Sequence, residues 1–69
     1  MAITNAREFA EGMQAFTIKW GEKILAGRQA DYDAALKEAA PLARYGRIIP
    51  ERIVQGAAAK WERIQRGEA

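Results

Sequence analysis

The chain contains no cysteine, no histidine and no serine among its 69 residues. Without thiols it can form neither a disulfide nor a thiolate zinc site, and without imidazole it has no Ser–His or Cys–His catalytic pair. Its six glycines are scattered, mostly at predicted helix ends, so there is no glycine-rich phosphate loop. We therefore expect a protein that is not an enzyme and that holds no cofactor and no metal.

Carboxylates are the remaining groups that could do acid–base chemistry. Glu8 lies close to Glu11, and Asp31 lies close to Asp33. Both pairs fall in the first turns of predicted helices, where acidic side chains interact favourably with the positive end of the helix dipole. We therefore interpret them as capping groups.

Long apolar runs are also missing. No stretch approaches the roughly 20 apolar residues that a membrane span needs, and the first twelve residues lack the basic and apolar regions of a secretory signal. The expectation is a cytoplasmic protein that does not bind membranes.

What the chain does have is alanine, charge and helical periodicity. Of its residues 49% are hydrophobic and 29% are charged, and the formal net charge is +2. Residues 1–34 carry four basic and five acidic side chains, whereas residues 35–69 carry seven and four. A chain this short makes one small domain, predicted to span residues 1–69, and such domains need good helix packing or a partner subunit to be stable.

The first predicted helix spans residues 5–26. Asn5 can cap it and Glu8 can supply the reciprocal acceptor of a capping box. One apolar face recurs at helical spacing, and Gly27 is placed to end the helix in a left-handed conformation. The residues of that face are Phe9, Met13, Phe16, Trp20 and Ile24.

Two further helices are predicted at 31–45 and 50–66. Asp31 should cap the second, Pro41 should kink or break it, and Gly46 should end it. Pro50 suits the first position of the third helix, and Gly67 should end it. The buried stripe of the third helix is Ile53, Ala57, Trp61 and Ile64. The predicted fold class is all-α, a compact three-helix bundle with the second helix kinked or broken at Pro41.

The third helix is thin at its centre. At about 100° per residue, Gly56 and Ala59 fall on the face opposite Ala57 and Trp61. Around these two small residues lie Arg52, Gln55, Arg63 and Arg66. Three interpretations remain open. Gly56 and Ala59 could be surface residues without a function, in an alanine-rich chain. They could form a floor on which another protein packs while the arginines pair with its carboxylates, or the helix could be a DNA recognition helix.

A second candidate surface lies on the first helix. Ile18 and Leu25 are seven residues apart and lie outside the main apolar face. Either another part of the chain covers them, or they form a contact surface, for which self-association is the simplest use.

The second helix, the connection "GRII" and the third helix resemble a helix-turn-helix in layout. The stretch "RIIPERIV" also resembles the beginning of the recognition helix in Cro-like phage repressors. This resemblance implies a dimeric DNA-binding protein that uses helix 50–66, with arginine and glutamine contacting base edges or phosphates. The sequence departs from that pattern at Leu42, where a small residue is usual, and at Pro41, which distorts the supporting helix.

The function expected from the sequence is therefore binding without catalysis. We expect a small helical protein that binds another protein, as an adaptor, an inhibitor or an assembly component of the kind common among phage products, and that forms a homo-oligomer. The alternative is a dimeric helix-turn-helix protein that binds nucleic acid through helix 50–66.

Overall fold

The computed structural model describes residues 3–67, which form three α-helices. These are α1 (Ala6–Leu25), α2 (Gln29–Gly46) and α3 (Pro50–Gln65). Each helix packs against the other two. The prediction of an all-α three-helix bundle is confirmed, and the helix ends differ from the predicted 5–26, 31–45 and 50–66 by at most two residues.

The core lies where the three helices meet. Its two largest fully buried side chains, Ile53 and Val54, both belong to α3. Phe16 and Trp20 of α1 are buried beside them, and α2 contributes mostly small side chains. The predicted apolar faces are thus correct at their centres, whereas their ends are half-buried: Phe9, Met13, Ile24, Trp61 and Ile64.

α1 begins and ends as its local chemistry predicts, with one difference. The Asn5 side chain accepts a hydrogen bond from the backbone N–H of Glu8 at 2.9 Å. The Glu8 carboxylate does not return to Asn5; it accepts from the backbone N–H and the hydroxyl of Thr4 instead. At the other end, Gly27 has a φ of +78°, which is the left-handed conformation expected of it.

The predicted start of α2 is wrong, whereas the helix ends at Gly46 as predicted. Asp31 is not the cap, because the helix begins at Gln29 after Arg28, whose extended backbone occupies the cap position without a side-chain hydrogen bond. Gly46 is the last helical residue, and Arg47 after it takes the left-handed conformation with a φ of +56°. The Phe9 ring packs closely on Gly46, because a Cβ built there would lie 3.2 Å from Phe9 Cζ.

The predicted break at Pro41 is also wrong, because α2 runs through this residue without interruption. Proline cannot donate the backbone hydrogen bond to the residue four positions earlier, and this raises the free energy of the helix without ending it here. Packing of α2 against both neighbours offsets that cost. A kink at Pro41 stays a prediction.

α3 begins at Pro50, as predicted, and Ile49 precedes it without a side-chain cap. Gly67 follows the helix with a φ of +76°. Within residues 3–67, none of the helices combines the length and the apolar character required to cross a membrane.

Three glycines lie inside helices under side chains of a neighbouring helix. A Cβ built on Gly21 would lie 2.5 Å from Trp61 Cβ, and one on Gly12 would lie 2.8 Å from Leu42 Cδ2. Together with Gly46 they show that glycine lets the helices approach closely. Only Gly27, Gly46 and Gly67 lie at helix ends, which is half of the six glycines, so the prediction that most of them do is wrong.

Candidate functional surfaces

The α3 outer face comprises the six predicted residues Arg52, Gln55, Gly56, Ala59, Arg63 and Arg66. All six are exposed, whereas Ala57 on the opposite side of the helix is buried. A Cβ added to Gly56 would meet nothing within 4 Å. The packing of the bundle therefore does not require a glycine at this position, and the small residues leave room for an external group to approach the backbone.

The arginines of this face differ in their pairing. Arg66 lies 3.4 Å from the Glu62 carboxylate, one turn earlier on the same helix. Arg52 and Arg63 form no ion pair within residues 3–67. Their guanidinium groups are therefore available for carboxylates or phosphates of another molecule.

The α1 strip comprises Ile18 and Leu25. Ile18 is 61% exposed and Leu25 is 46% exposed, so neither α3 nor any other part of residues 3–67 covers them. Helix α3 packs instead over Gly21, whose neighbours are Trp61 and Ala57. The α1 strip and the α3 outer face lie on different helices, and the structure does not join them into one site.

The last turn of α2 and the connection to α3 expose further apolar side chains that the sequence interpretation missed as surface. Ile49 is 58% exposed, and Tyr45 and Ile48 are also exposed. Two consecutive isoleucines before Pro50 were the available signal. Ile49 could have been recognised as exposed because a residue at the cap position lies outside the helix that it precedes.

A polar cluster on α1 and α2 surrounds Trp20, which the sequence indicated only as a core residue. Trp20 Nε1 donates to one oxygen of the Glu38 carboxylate at 2.5 Å, and Lys19 Nζ donates to the other at 2.8 Å. Lys23 Nζ lies 5.1 Å from the Trp20 ring centre. The Lys19 hydrogen bond lowers the pKa of Glu38 below its usual 4.5. The pairing depends on how the helices face each other, so no local pattern could have revealed it.

The same cluster forms one wall of an open groove between α1 and α2. Its volume is about 310 Å³, and Gly12, Pro41 and Leu42 are among its other lining residues. Leu42, which departs from the helix-turn-helix pattern by its size, is accommodated because Gly12 faces it without a side chain.

Glu8 and Asp31 lie in the first turns of α1 and α2, whereas Glu11 and Asp33 lie beyond them, so the interpretation of both pairs as capping groups is wrong for Glu11 and Asp33. Hydrogen bonds from the Thr4 hydroxyl and backbone lower the pKa of Glu8. Glu11 pairs with Arg7 at 3.6 Å, and Asp33 accepts from the Gln29 side chain. Across residues 3–67 there is no cluster of three or more acidic groups placed to hold a metal ion.

Comparison with protein-family models, curated proteins and solved structures finds no significant match to this chain. The α1 strip and the α3 outer face are therefore the features that bear on function.

Proposed function

We propose that this protein is a non-enzymatic helical protein that binds another protein in the cytoplasm and also associates with itself. The observation that carries the proposal is the exposure of Ile18 and Leu25. A single exposed aliphatic side chain is common on protein surfaces and needs no functional explanation. Two of them on one helix face, within reach of one partner, supply apolar area whose burial favours binding.

The α3 outer face supplies the second part of the proposed interaction. Gly56 and Ala59 form a floor without long side chains, and Arg52 and Arg63 border it along the helix. A partner side chain can rest on the floor while its carboxylates pair with the guanidinium groups. The mechanism is occupancy: the protein docks onto, bridges or blocks a surface of its partner.

Capture with matched variants tests this proposal. Tagged wild type is compared with I18D,L25D and with the control A30D,A34D, which introduces the same two charges at exposed positions of α2. We expect wild type and control to retain the same co-purifying proteins and I18D,L25D to lose them. Identical retention by all three variants would contradict a role for the α1 strip.

A second candidate function is DNA binding, favoured by one specific observation. Arg52 and Arg63 are exposed and unpaired within residues 3–67, on a helix that follows a three-residue connection, 47–49. Binding to duplex DNA measured at two salt concentrations tests it. A steep salt dependence that is lost in R52A,R63A supports phosphate contacts, and no measurable binding excludes this function.

A further inference from the structure

The outer face of α1 carries acidic side chains as well as apolar ones. Glu11 and Glu22 are exposed on the same side of α1 as Ile18 and Leu25. We call these four residues the α1 outer face. It is acidic and apolar, whereas the α3 outer face is basic and has a small-residue floor, so the two surfaces are complementary in both charge and shape.

The spacing along the two helices is complementary too. Glu11 and Glu22 are eleven residues apart, and so are Arg52 and Arg63. At 1.5 Å rise per residue each pair spans about 16.5 Å. If the helices run antiparallel, Glu22 lies opposite Arg52 and Glu11 lies opposite Arg63.

The same register places the apolar and small residues opposite each other. Ile18 precedes Glu22 by four residues, and Gly56 follows Arg52 by four, so the isoleucine lies on the glycine. Leu25 follows Glu22 by three residues, and the exposed Ile49 precedes Arg52 by three. One alignment therefore makes two ion pairs and seats one large side chain on the floor, while Leu25 and Ile49, the residue just before α3, lie at the same end of the contact.

We propose that the α1 outer face of one copy docks antiparallel on the α3 outer face of a second copy, in this register. The inference rests on the proposed function and names one partner, a second copy of this chain. Because the two faces differ, the contact is head-to-tail: each copy offers one face to the copy before it and the other to the copy after it.

Existing interactions permit this contact. Glu22, Arg52 and Arg63 form no ion pair within residues 3–67. Glu11 pairs with Arg7 on the solvent-exposed surface of its own helix at 3.6 Å. Such exposed pairs contribute little stability, so exchanging this partner for Arg63 of another copy costs little.

Charge reversal with mixing tests the register. In E11R,E22R both outer faces are basic, and in R52E,R63E both are acidic. We expect each variant alone to associate at least about tenfold more weakly than wild type, because like charges then face each other. An equimolar mixture should regain association, since each basic α1 face meets an acidic α3 face and each acidic α1 face meets a basic α3 face.

A matched control and a separate variant complete the experiment. K37E,R44E makes the same charge change as R52E,R63E at exposed positions of α2, and it should associate like wild type. G56L places a large side chain where the monomer has open space, so it should weaken association while leaving the thermal midpoint of the dilute protein no lower. Circular dichroism verifies that every variant is helical.

Sedimentation equilibrium, from micromolar to millimolar concentration, reads out all these samples. Association that persists in both charge-reversal variants, or that the mixture does not regain, overturns the proposed register while leaving protein binding intact. A wild type that stays monomeric throughout overturns this inference and the self-association part of the proposed function, whereas the capture experiment decides separately whether the protein binds another protein.

Discussion

At the scale of single residues, the glycines divide into two kinds that the sequence does not distinguish. Gly21 lies under Trp61, and Gly56 faces open space. Both glycines are helical, Gly21 with Glu22 as the next residue in the sequence and Gly56 with Ala57, and neither sequence context marks a close helix contact. What separates them is the identity of the neighbouring helix face, which is a property of the packed bundle.

Alanine at these two positions should therefore have opposite effects. G21A should lower the free energy of unfolding by about 1–3 kcal/mol, because its Cβ would lie 2.5 Å from Trp61 Cβ. G56A should raise it by up to about 1 kcal/mol, since alanine is the better helix former and nothing obstructs it. Urea denaturation of the two variants measures both changes. A change of the same sign in both would contradict this packing.

Among residues 3–67, Glu38 is one of two, with Glu8, whose charge state the fold ties to stability, since both have a lowered pKa. Its folded pKa is below the usual 4.5, chiefly because of the Lys19 hydrogen bond. The unfolded chain therefore binds a proton at higher pH than the folded chain does. The resulting stabilisation is fully present above the usual pKa and is lost as the pH falls through the lowered folded value.

Substitution of Glu38 separates its charge from its hydrogen bond. E38Q keeps an oxygen acceptor for Trp20 and should flatten the loss of stability between about pH 5 and pH 3. E38A should additionally lower the free energy of unfolding at neutral pH by about 1 kcal/mol, because Trp20 Nε1 loses its acceptor. Denaturation over this pH range, followed by Trp fluorescence, measures both. An unaltered pH profile in E38Q would assign the effect to other carboxyl groups, of which Glu8 is the first candidate.

At the scale of helices, the ends that depend on local chemistry could be predicted. Asn5 as a cap, Gly27 in the left-handed conformation and Pro50 at the first turn all follow from short-range rules. The start of α2 could not, because Asp31 is a chemically better cap than Arg28. The left-handed conformation of Arg47 could not either, because glycine adopts that conformation more readily than arginine. At Gly46, the Phe9 ring of another helix lies close to the backbone.

The uncapped start of α2 gives a prediction at this scale. Arg28 occupies the cap position with extended backbone and without a side-chain hydrogen bond. R28S should raise the free energy of unfolding by about 1 kcal/mol, since a serine hydroxyl can accept from a backbone N–H of the first turn. R28A is the control for loss of the positive charge near the helix dipole. If R28S is no more stable than R28A, the added acceptor has no effect. Chemical denaturation measures all three proteins.

The helical period also predicted which residues of the candidate surfaces are exposed, because 3.6 residues per turn separates the two sides of a long helix. It could not predict that Ile18 and Leu25 stay uncovered, since that depends on where α3 crosses α1. Nor could it connect Trp20 with Glu38, which lie on different helices.

At the scale of the whole molecule, small size makes any association visible as stability. A 69-residue chain buries a limited core, so its free energy of unfolding is small. Binding of a second folded copy therefore raises this free energy by a measurable fraction. The thermal midpoint should rise between about 10 μM and 1 mM protein. It should rise less at 1 M salt, where charges are screened beyond about 3 Å. Scanning calorimetry of wild type and E11R,E22R measures this, and an equal rise in the variant would locate the contact elsewhere.

The two tryptophans lie in different interfaces. Trp20 is hydrogen-bonded to Glu38 of α2, and Trp61 covers Gly21 of α1 from its place on α3. The fluorescence of a variant that keeps only Trp20 would therefore report on the interface between α1 and α2. The fluorescence of a variant that keeps only Trp61 would report on the interface between α1 and α3. If the molecule unfolds in one step, the two single-tryptophan variants show the same unfolding midpoint. If α3 detaches first, the two variants show different midpoints.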